Sequence, residues 1–403
     1  MKKNNAIGAI VLVAALGYFV DIYDLILFSI VRIKSLKAIG IAETDLLSQG
    51  VYLLNMQMAG MLLGGILWGI LGDKKGRLSV LFGSIFLYSV ANIANAFVAS
   101  VPVYAALRFV AGIGLAGELG AGITLVSEVM PKETRGYGTM IVATIGILGA
   151  VVAALVGDLF DWRVAYMVGG ALGIFLLFLR IGVFESGLFN EIKTKSVRRG
   201  SFSTLFQSRQ TTVKYLCCIF MGAPIWFVVG VLITFSPEFG RALGMAVIPD
   251  PGKAVMFTYL GLALGDFVSG SLAQFLKSRK KIAKCFIVLT GIFIAAYLMN
   301  KGADLNIFYA NCLALGFSVG YWAVFVTIAS EQFGTNIRST VTTTVPNFVR
   351  GSLIPLTFAF QKLKPHFDVI GAAAVVAAAT LVVAFVSVSL LHETHGKDLN
   401  YAE

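Results

Sequence analysis

The chain has 403 residues, 58% of them hydrophobic and only 13% charged, with a mean hydropathy of +0.85. A soluble domain usually carries about 25% charge, so the composition excludes an ordinary soluble protein and reads as a polytopic membrane protein. The net charge of +11 lies in short loops between apolar runs, where it sets topology, and no nucleic-acid partner is expected.

Twelve apolar spans are predicted, each near the ~20 residues that cross a bilayer. Their limits are 6–30, 51–71, 78–98, 102–126, 138–158, 163–183, 212–235, 254–276, 282–299, 305–329, 340–360 and 369–391. Span one follows Met1-Lys2-Lys3 and carries acids without a cleavage site, so no cleavable signal peptide is expected. It places Asp21 and Asp24 three apart, on one helix face. Two close carboxylates oppose each other's ionisation, and burial does the same. At least one is therefore expected to bind a proton.

Span two carries Gln57, a weaker candidate for substrate contact, and ends in Gly69-Ile-Leu-Gly72-Asp73-Lys74-Lys75-Gly76-Arg77-Leu78. An acid and three bases between two spans fit a tight turn at the membrane surface. The glycines allow close backbone approach, and Asp73 can accept from a helix N-terminus. Span four reads Arg108-Phe-Val-Ala-Gly112-Ile-Gly114-Leu-Ala-Gly117-Glu118-Leu-Gly120 and is followed by Glu128 and Arg135. Arg108 is a natural counter-charge to a span-one acid. Protonation of the acid would release it, and the bland alternative is a permanent pair locking two helices. Glu118 lies ten positions on, displaced by about 80° around the helix, and either supports the proton site or braces the fold. The Gly-x-Gly-x-x-Gly spacing lies inside a span with no βαβ context, so helix packing explains it better than a dinucleotide. No phosphate-cradling loop ends in Gly-Lys-Ser or Gly-Lys-Thr. Direct ATP drive, a cofactor, a metal and an enzymatic activity are not expected.

The 184–211 segment is basic and Ser-rich. It divides the chain into 1–183, a linker over 184–211, and 212–403. In the second part Asp266 in span eight and Arg350 in span eleven are the outstanding charges. Arg350 either binds a substrate carboxylate or phosphate bidentately or pairs with Asp266. Trp226, Tyr321, Trp322 and Asn347 offer rings and hydrogen bonds nearby, against the alternative of plain core. Cys217, Cys218, Cys285 and Cys312 read as small buried apolar residues. His392 and His395, three apart, read as cations at a helix C-terminus in preference to metal ligands.

With both termini inside, 20 of the 32 basic residues fall on the inner side and nine on the outer, which places the termini in the cytoplasm. Arg32, Lys34 and Lys37 go against that rule. An internal repeat is also present. Glu128–Arg135 and Glu331–Arg338 are both seven apart, at an offset of 331 − 128 = 203. Gly69 matches Gly270 at an offset of 201, and Glu185 matches Glu393 at 208. Such echoes imply duplication of a six-span unit.

The Gly69–Leu78 loop, the span-four motif and Asp21-Ile-Tyr23-Asp24 resemble the major facilitator superfamily over essentially the whole chain. So do Phe184-Glu185-Ser186-Gly187-Leu188-Phe189 and His392-Glu393-Thr394-His395-Gly396-Lys397. The metabolite:proton symporter and sugar porter branches are nearest. The hexose transporters' Gln-Gln-x-x-Gly is replaced by Cys217-Cys-Ile-Phe-Met-Gly-Ala-Pro-Ile-Trp226, which argues against a hexose. The resemblance implies an all-α membrane fold of twelve helices in two pseudo-symmetric bundles, around a cavity that opens alternately to each side. It favours Asp24 as the coupling acid. It also implies an inner charge gate from Gly69, Asp73, Gly76, Arg77, Glu128, Arg135, Glu185, Glu331, Arg338 and Glu393, against solvated loop charges of little energy. The expected function is a proton symporter importing a small polar metabolite, an organic acid or other carboxylate. Its partners would be that substrate, protons and the lipid bilayer, with the chain a monomer in the inner membrane. An efflux antiporter is the alternative. A nutrient sensor is a further one, which the short tail after residue 391 disfavours.

Overall fold

The computed structural model describes residues 2–75, 77–130, 135–185, 202–334 and 337–395. Among them the regular structure is helical, with no strand. In hydrocarbon each backbone N–H and C=O must be satisfied within its own segment, and a helix does this. The first stretch gives α1 (Lys2–Ala38), α2 (Leu46–Lys75), α3 (Arg77–Asn95), α4 (Val101–Leu115), α5 (Glu118–Val129), α6 (Arg135–Leu159) and α7 (Trp162–Glu185). Then come α8 (Arg209–Phe227), α9 (Ser236–Ala242), α10 (Pro251–Phe275), α11 (Arg279–Met299), α12 (Leu305–Val319), α13 (Trp322–Glu331), α14 (Arg338–Gly351) and α15 (Leu353–Leu390).

Among the described residues ten stretches are long and apolar enough to cross a bilayer, and Ser79–Asn95 is a shorter apolar helix. The last stretch, Thr340–Leu390, has 51 residues, about 77 Å if straight. That is more than two crossings of a ~30 Å hydrocarbon core. It is broken at Asp368, whose φ of 56° is left-handed, and Asp368 Oδ1 accepts from Gly371 N at 2.8 Å to restart the helix. Spans eleven and twelve of the sequence reading meet at this break.

Other breaks also lie within spans, one of them at Ser352 between α14 and α15. α4 passes to α5 through Ala116 and Gly117. α8 contains Pro224 and loosens into a π-helix over Val228–Ile233. Proline removes a backbone donor and frees the carbonyl one turn back. α12 and α13 part at Gly320 and Tyr321, and the freed Ala323 N–H donates to Asp266 Oδ1 at 3.0 Å. Asp266 thus acts as a cap, and of the two alternatives for Arg350 the pair with Asp266 does not form, Asp21 standing beside the guanidinium instead.

Close helix approach repeats at a fixed offset. A Cβ on Gly60 would overlap Phe109 O, and one on Gly112 would overlap Gln57 O, so α2 and α4 touch backbone to backbone. A Cβ on Gly261 would overlap Leu313 O, and one on Gly316 would overlap Thr258 O, between α10 and α12. The offsets are 261 − 60 = 201 and 316 − 112 = 204. Small residues let membrane helices approach in this way, and the span-four glycines are accounted for by packing. Cys217, Cys218 and Cys312 are buried as expected, whereas Cys285 is exposed on α11.

Candidate functional site

A small cavity lies where α1 and α6 meet α8, α10, α13 and α14. Its walls include Tyr18, Ile22, Trp226, Tyr259, Trp322 and Arg350, and its volume is ≈ 20 Å³. That is room for about one water, so a substrate requires the two parts of the chain to separate around it. Arg350 is 1% exposed. Its guanidinium carbon stands 6.0 Å from the Trp226 ring centroid and 5.8 Å from that of Trp322. Both rings present π-faces to the cation.

Across the cavity, Asp21 Oδ2 is 3.6 Å from Arg350 Nη2, an ion pair longer than a hydrogen bond. Both oxygens of Asp21, and Nε and Nη2 of Arg350, have no hydrogen-bond partner among the described residues. Nε and Nη2 form the side edge of the guanidinium, which takes a carboxylate in two parallel bonds. Nη1 is aimed at Asn347 Oδ1 at 3.5 Å. Asn347 Nδ2 donates to Ala116 O and Thr343 O, each at 2.8 Å, so it ties α14 to the α4–α5 break. Trp322 Nε1 is a further buried donor that meets no hydrogen-bond geometry among the described residues. Tyr321 turns away and donates to Met221 O at 3.0 Å, which makes it core.

Arg108 is placed differently from the expectation. It donates to Gln57 Oε1 and lies against the rings of Phe28 (5.1 Å) and Tyr166 (5.8 Å). Gln57 is thereby an arginine ligand, and Asp24 forms no ion pair with Arg108 among the described residues. Asp24 is fully buried and seated against Gly169, where any Cβ would strike its Oδ1. Helix rotation explains the change, because Asp21 turns towards α14 and Asp24 towards α7.

Glu118 pairs with Arg180, at 2.8 Å to Nη2 and 3.1 Å to Nη1, and accepts from Ser84 Oγ at 2.9 Å. Both ends are about 1% exposed. The pair joins α5 to α7, which favours a bracing role. Removing one partner leaves a buried charge uncompensated, at a cost of about 3–5 kcal/mol, whereas replacing both by apolar residues is often neutral. Glu118→Leu and Arg180→Leu should each lower the thermal unfolding midpoint markedly, and the double variant should recover most of the loss. Additive losses in the double variant would show that the two side chains act separately.

Arg32 and Glu238 form the most completely paired contact at the other end. Arg32 is fully buried, bonds both oxygens of Glu238 at 2.8 Å, donates to Leu46 O at 3.2 Å and lies over Phe235. Beside it Thr234 Oγ1 donates to Ser29 Oγ at 2.9 Å. These contacts join α1 to the α8–α9 turn, on the side expected to face outward. Neither residue was selected from the sequence. The available signal was Arg32 itself, an exception to the charge rule. Lys34, its neighbour, donates to Gly157 O. Glu238→Gln should strip Arg32 of its counter-charge and open this end, where the guanidinium can hydrate. Spin labels at positions 37 and 301 should then report a longer distance distribution, and an unchanged distribution would remove the latch role.

At the inner end Gly69 faces Thr344, with room for a methyl group, and Gly65 faces Asn347. Glu331 pairs with Arg279. Glu393 accepts from Ser278 Oγ at 2.5 Å and from the N–H groups of Arg279 and Lys280 at 3.1 and 3.2 Å, at the start of α11. Partial burial pushes the Glu393 carboxyl up, and these bonds, with one from His395 N–H, outweigh burial and hold it below the usual glutamate value. Gly76 and the side chains of Asp73, Arg77, Glu128, Arg135, Glu185 and Arg338 lie outside the described residues. Both His392 and His395 follow the end of α15, and no metal-binding cluster occurs among the described residues.

Asp21 and Arg350 thus form a buried, loosely paired acid and base at the centre of the molecule. A profile described as the Major Facilitator Superfamily matches residues 14–357. The niacin transporter NiaP of Acinetobacter baylyi is 26% identical over 367 residues, covering 81% of this chain and 80% of that protein. The 3-(3-hydroxy-phenyl)propionate transporter of Escherichia coli is 26% identical over 327 residues, covering 76% and 77%. The crystal structure of a D-xylose-proton symporter superposes with a TM-score of 0.74 at 18% identity, covering 98% of this chain and 100% of that one. The chain is a multi-pass membrane protein and belongs to the Major Facilitator Superfamily of transporters.

Proposed function

We propose that this protein is a proton-coupled importer of a small aromatic or heteroaromatic monocarboxylate, working by alternating access. The observation that carries the reading is the Nε–Nη2 edge of Arg350, buried between Trp226 and Trp322 with Asp21 across it. A carboxylate takes the edge bidentately, and a flat ring suits the indole walls. One guanidinium balances one carboxylate. When Asp21 is ionised it holds Arg350, and when Asp21 is protonated the substrate takes its place. Proton and anion therefore enter together. The named substrates of the two relatives, a pyridine carboxylate and a phenylpropionate, are of this class.

The supporting architecture is twelve spans in two six-helix halves, 1–183 and 212–403, joined by 184–211. The paired glycine contacts at offsets of 201 and 204 support the duplication. The charge bias supports an inner-membrane monomer with both termini cytoplasmic. The Glu331–Arg279 pair and the Glu393 cap would belong to an inner gate, with Asp73, Arg77, Glu128, Arg135, Glu185 and Arg338.

The test is uptake into proteoliposomes under an imposed pH gradient, acid outside. The panel sets nicotinate, benzoate and 3-phenylpropionate against acetate, succinate and xylose. Accumulation of ring-bearing monocarboxylates alone is expected. Failure of every carboxylate would end this reading, and efflux driven by the same gradient would replace import by antiport.

A further inference from the structure

A second and much larger cavity, ≈ 630 Å³, shares no lining residue with the first and lies where α8 begins and α15 ends. It is framed by the start of α8, the residue after α13 and the residues that follow α15. Arg209, Lys214 and the His392 imidazole line it, together with Gln210 and Gln332, and among the described residues no carboxylate does. Its remaining walls are apolar: Val213, Cys217, Leu390 and Leu391. A pocket of this size is within the range that holds a small organic ligand, about 300–1,000 Å³. The alternating-access reading has no use for it, because α1 to α7 contribute nothing to its lining.

The polar part is built, not merely charged. Lys214 Nζ donates to Gln332 O at 3.1 Å and stands over the Phe333 ring at 4.8 Å, which fixes the ammonium at the cavity wall. Gln332 Nε2 donates to His392 O at 2.6 Å, holding the post-α15 turn against α13. Outside the cavity, an apolar track continues along the two helices. Val213, Leu216 and Phe220 are exposed on α8 at spacings that put them on the Arg209 face. Val383, Val386 and Leu390 are exposed on α15, which packs against α8. Cationic groups at a helix start, above a lipid-facing apolar groove, match a molecule with an anionic head and a hydrocarbon tail. Basic recesses between helices at the bilayer surface recognise such headgroups.

We propose that this recess is a binding site for one anionic phospholipid, its phosphate held by Arg209 and Lys214 and its acyl chain laid between α8 and α15. The apolar track selects a lipid over a free anion, since inorganic phosphate gains nothing from it. Bound there, the lipid would brace the start of α8 against α13 and the end of α15.

The test is native mass spectrometry of the purified full-length chain in detergent, with dioleoyl-phosphatidylglycerol, dioleoyl-phosphatidylcholine or inorganic phosphate added. One phosphatidylglycerol should be retained at a concentration at least tenfold below that needed for phosphatidylcholine. The exposed Arg209→Gln change alone should cut that preference severalfold, and adding Lys214→Gln should abolish it. Lys362→Gln with Lys364→Gln, at the opposite end of the bundle, should leave it intact. Thermal melts of each variant establish that it is folded, and Arg209→Gln keeps the question decidable if the Lys214 change unfolds the chain. Equal retention of the two lipids, or a preference untouched by Arg209→Gln, would overturn the proposal. Displacement of the lipid by millimolar inorganic phosphate would overturn it in favour of a free-anion site.

Discussion

Arg350→Ala should lower affinity for the transported carboxylate by roughly 100-fold or more. Truncating one partner of a buried charged pair costs about 2–5 kcal/mol, and each ~1.4 kcal/mol is tenfold in binding. Arg350→Lys keeps the charge but replaces a planar fork by a point donor. It should therefore fall between wild type and alanine, with the loss in affinity larger than the loss in maximal flux. The measurement is substrate binding to the purified protein by calorimetry, beside initial uptake rates. Under the proposed binding mode, Trp226→Leu and Trp322→Leu should weaken ring-bearing carboxylates more than acetate, because the indoles would face the ring and the guanidinium the carboxylate. Wild-type affinity in Arg350→Ala would move the substrate site elsewhere and leave Arg350 as the counter-charge of Asp21.

Asp21→Asn should uncouple transport. A gradient of one pH unit is worth about 1.4 kcal/mol per proton, or roughly tenfold accumulation. With an amide at position 21, Arg350 is open to the anion without a proton, so accumulation should collapse to about onefold. Exchange of labelled for unlabelled substrate should continue, because the edge that binds the carboxylate is intact. The same variant should bind substrate with little dependence on pH between 5 and 8, in contrast to wild type. Asp24 is the family-matched acid of span one and the informative comparison. If Asp24→Asn abolishes uphill uptake while Asp21→Asn accumulates normally, the coupling group is Asp24, and the Asp21–Arg350 contact is structural.

The buried charges named from the sequence meet neighbours that the sequence did not show: Asp21 faces Arg350, and among the described residues neither Asp24 with Arg108 nor Asp266 with Arg350 forms an ion pair. Asp266 is taken by the Ala323 N–H at the α12–α13 break, and no local pattern announced that break strongly. Arg108 is taken by Gln57, which the sequence offered only as a weaker candidate for substrate contact. Glu118 had no partner within reach along its own span, since Arg180 is 62 positions away. The helical periodicity of one segment gives relative angles along that segment. It carries no information on how the segment is rotated towards another.

The sequence by itself determined the class of molecule, a helical multi-pass membrane protein, and the set of ionisable side chains within its apolar runs. Each follows from a local cost: backbone must bond to itself in lipid, and buried charge is expensive wherever it occurs. Only the tertiary structure decided who faces whom. It brought Asp21 to Arg350 across 350 − 21 = 329 positions and Arg32 to Glu238 across 206. It also made the α4–α5 break the seat of Asn347. These choices rest on glycine contacts such as Gly60 on Phe109 O and Gly261 on Leu313 O, which set helix rotation and spacing. Rotation is a property of two packed surfaces, and neither surface carries it alone.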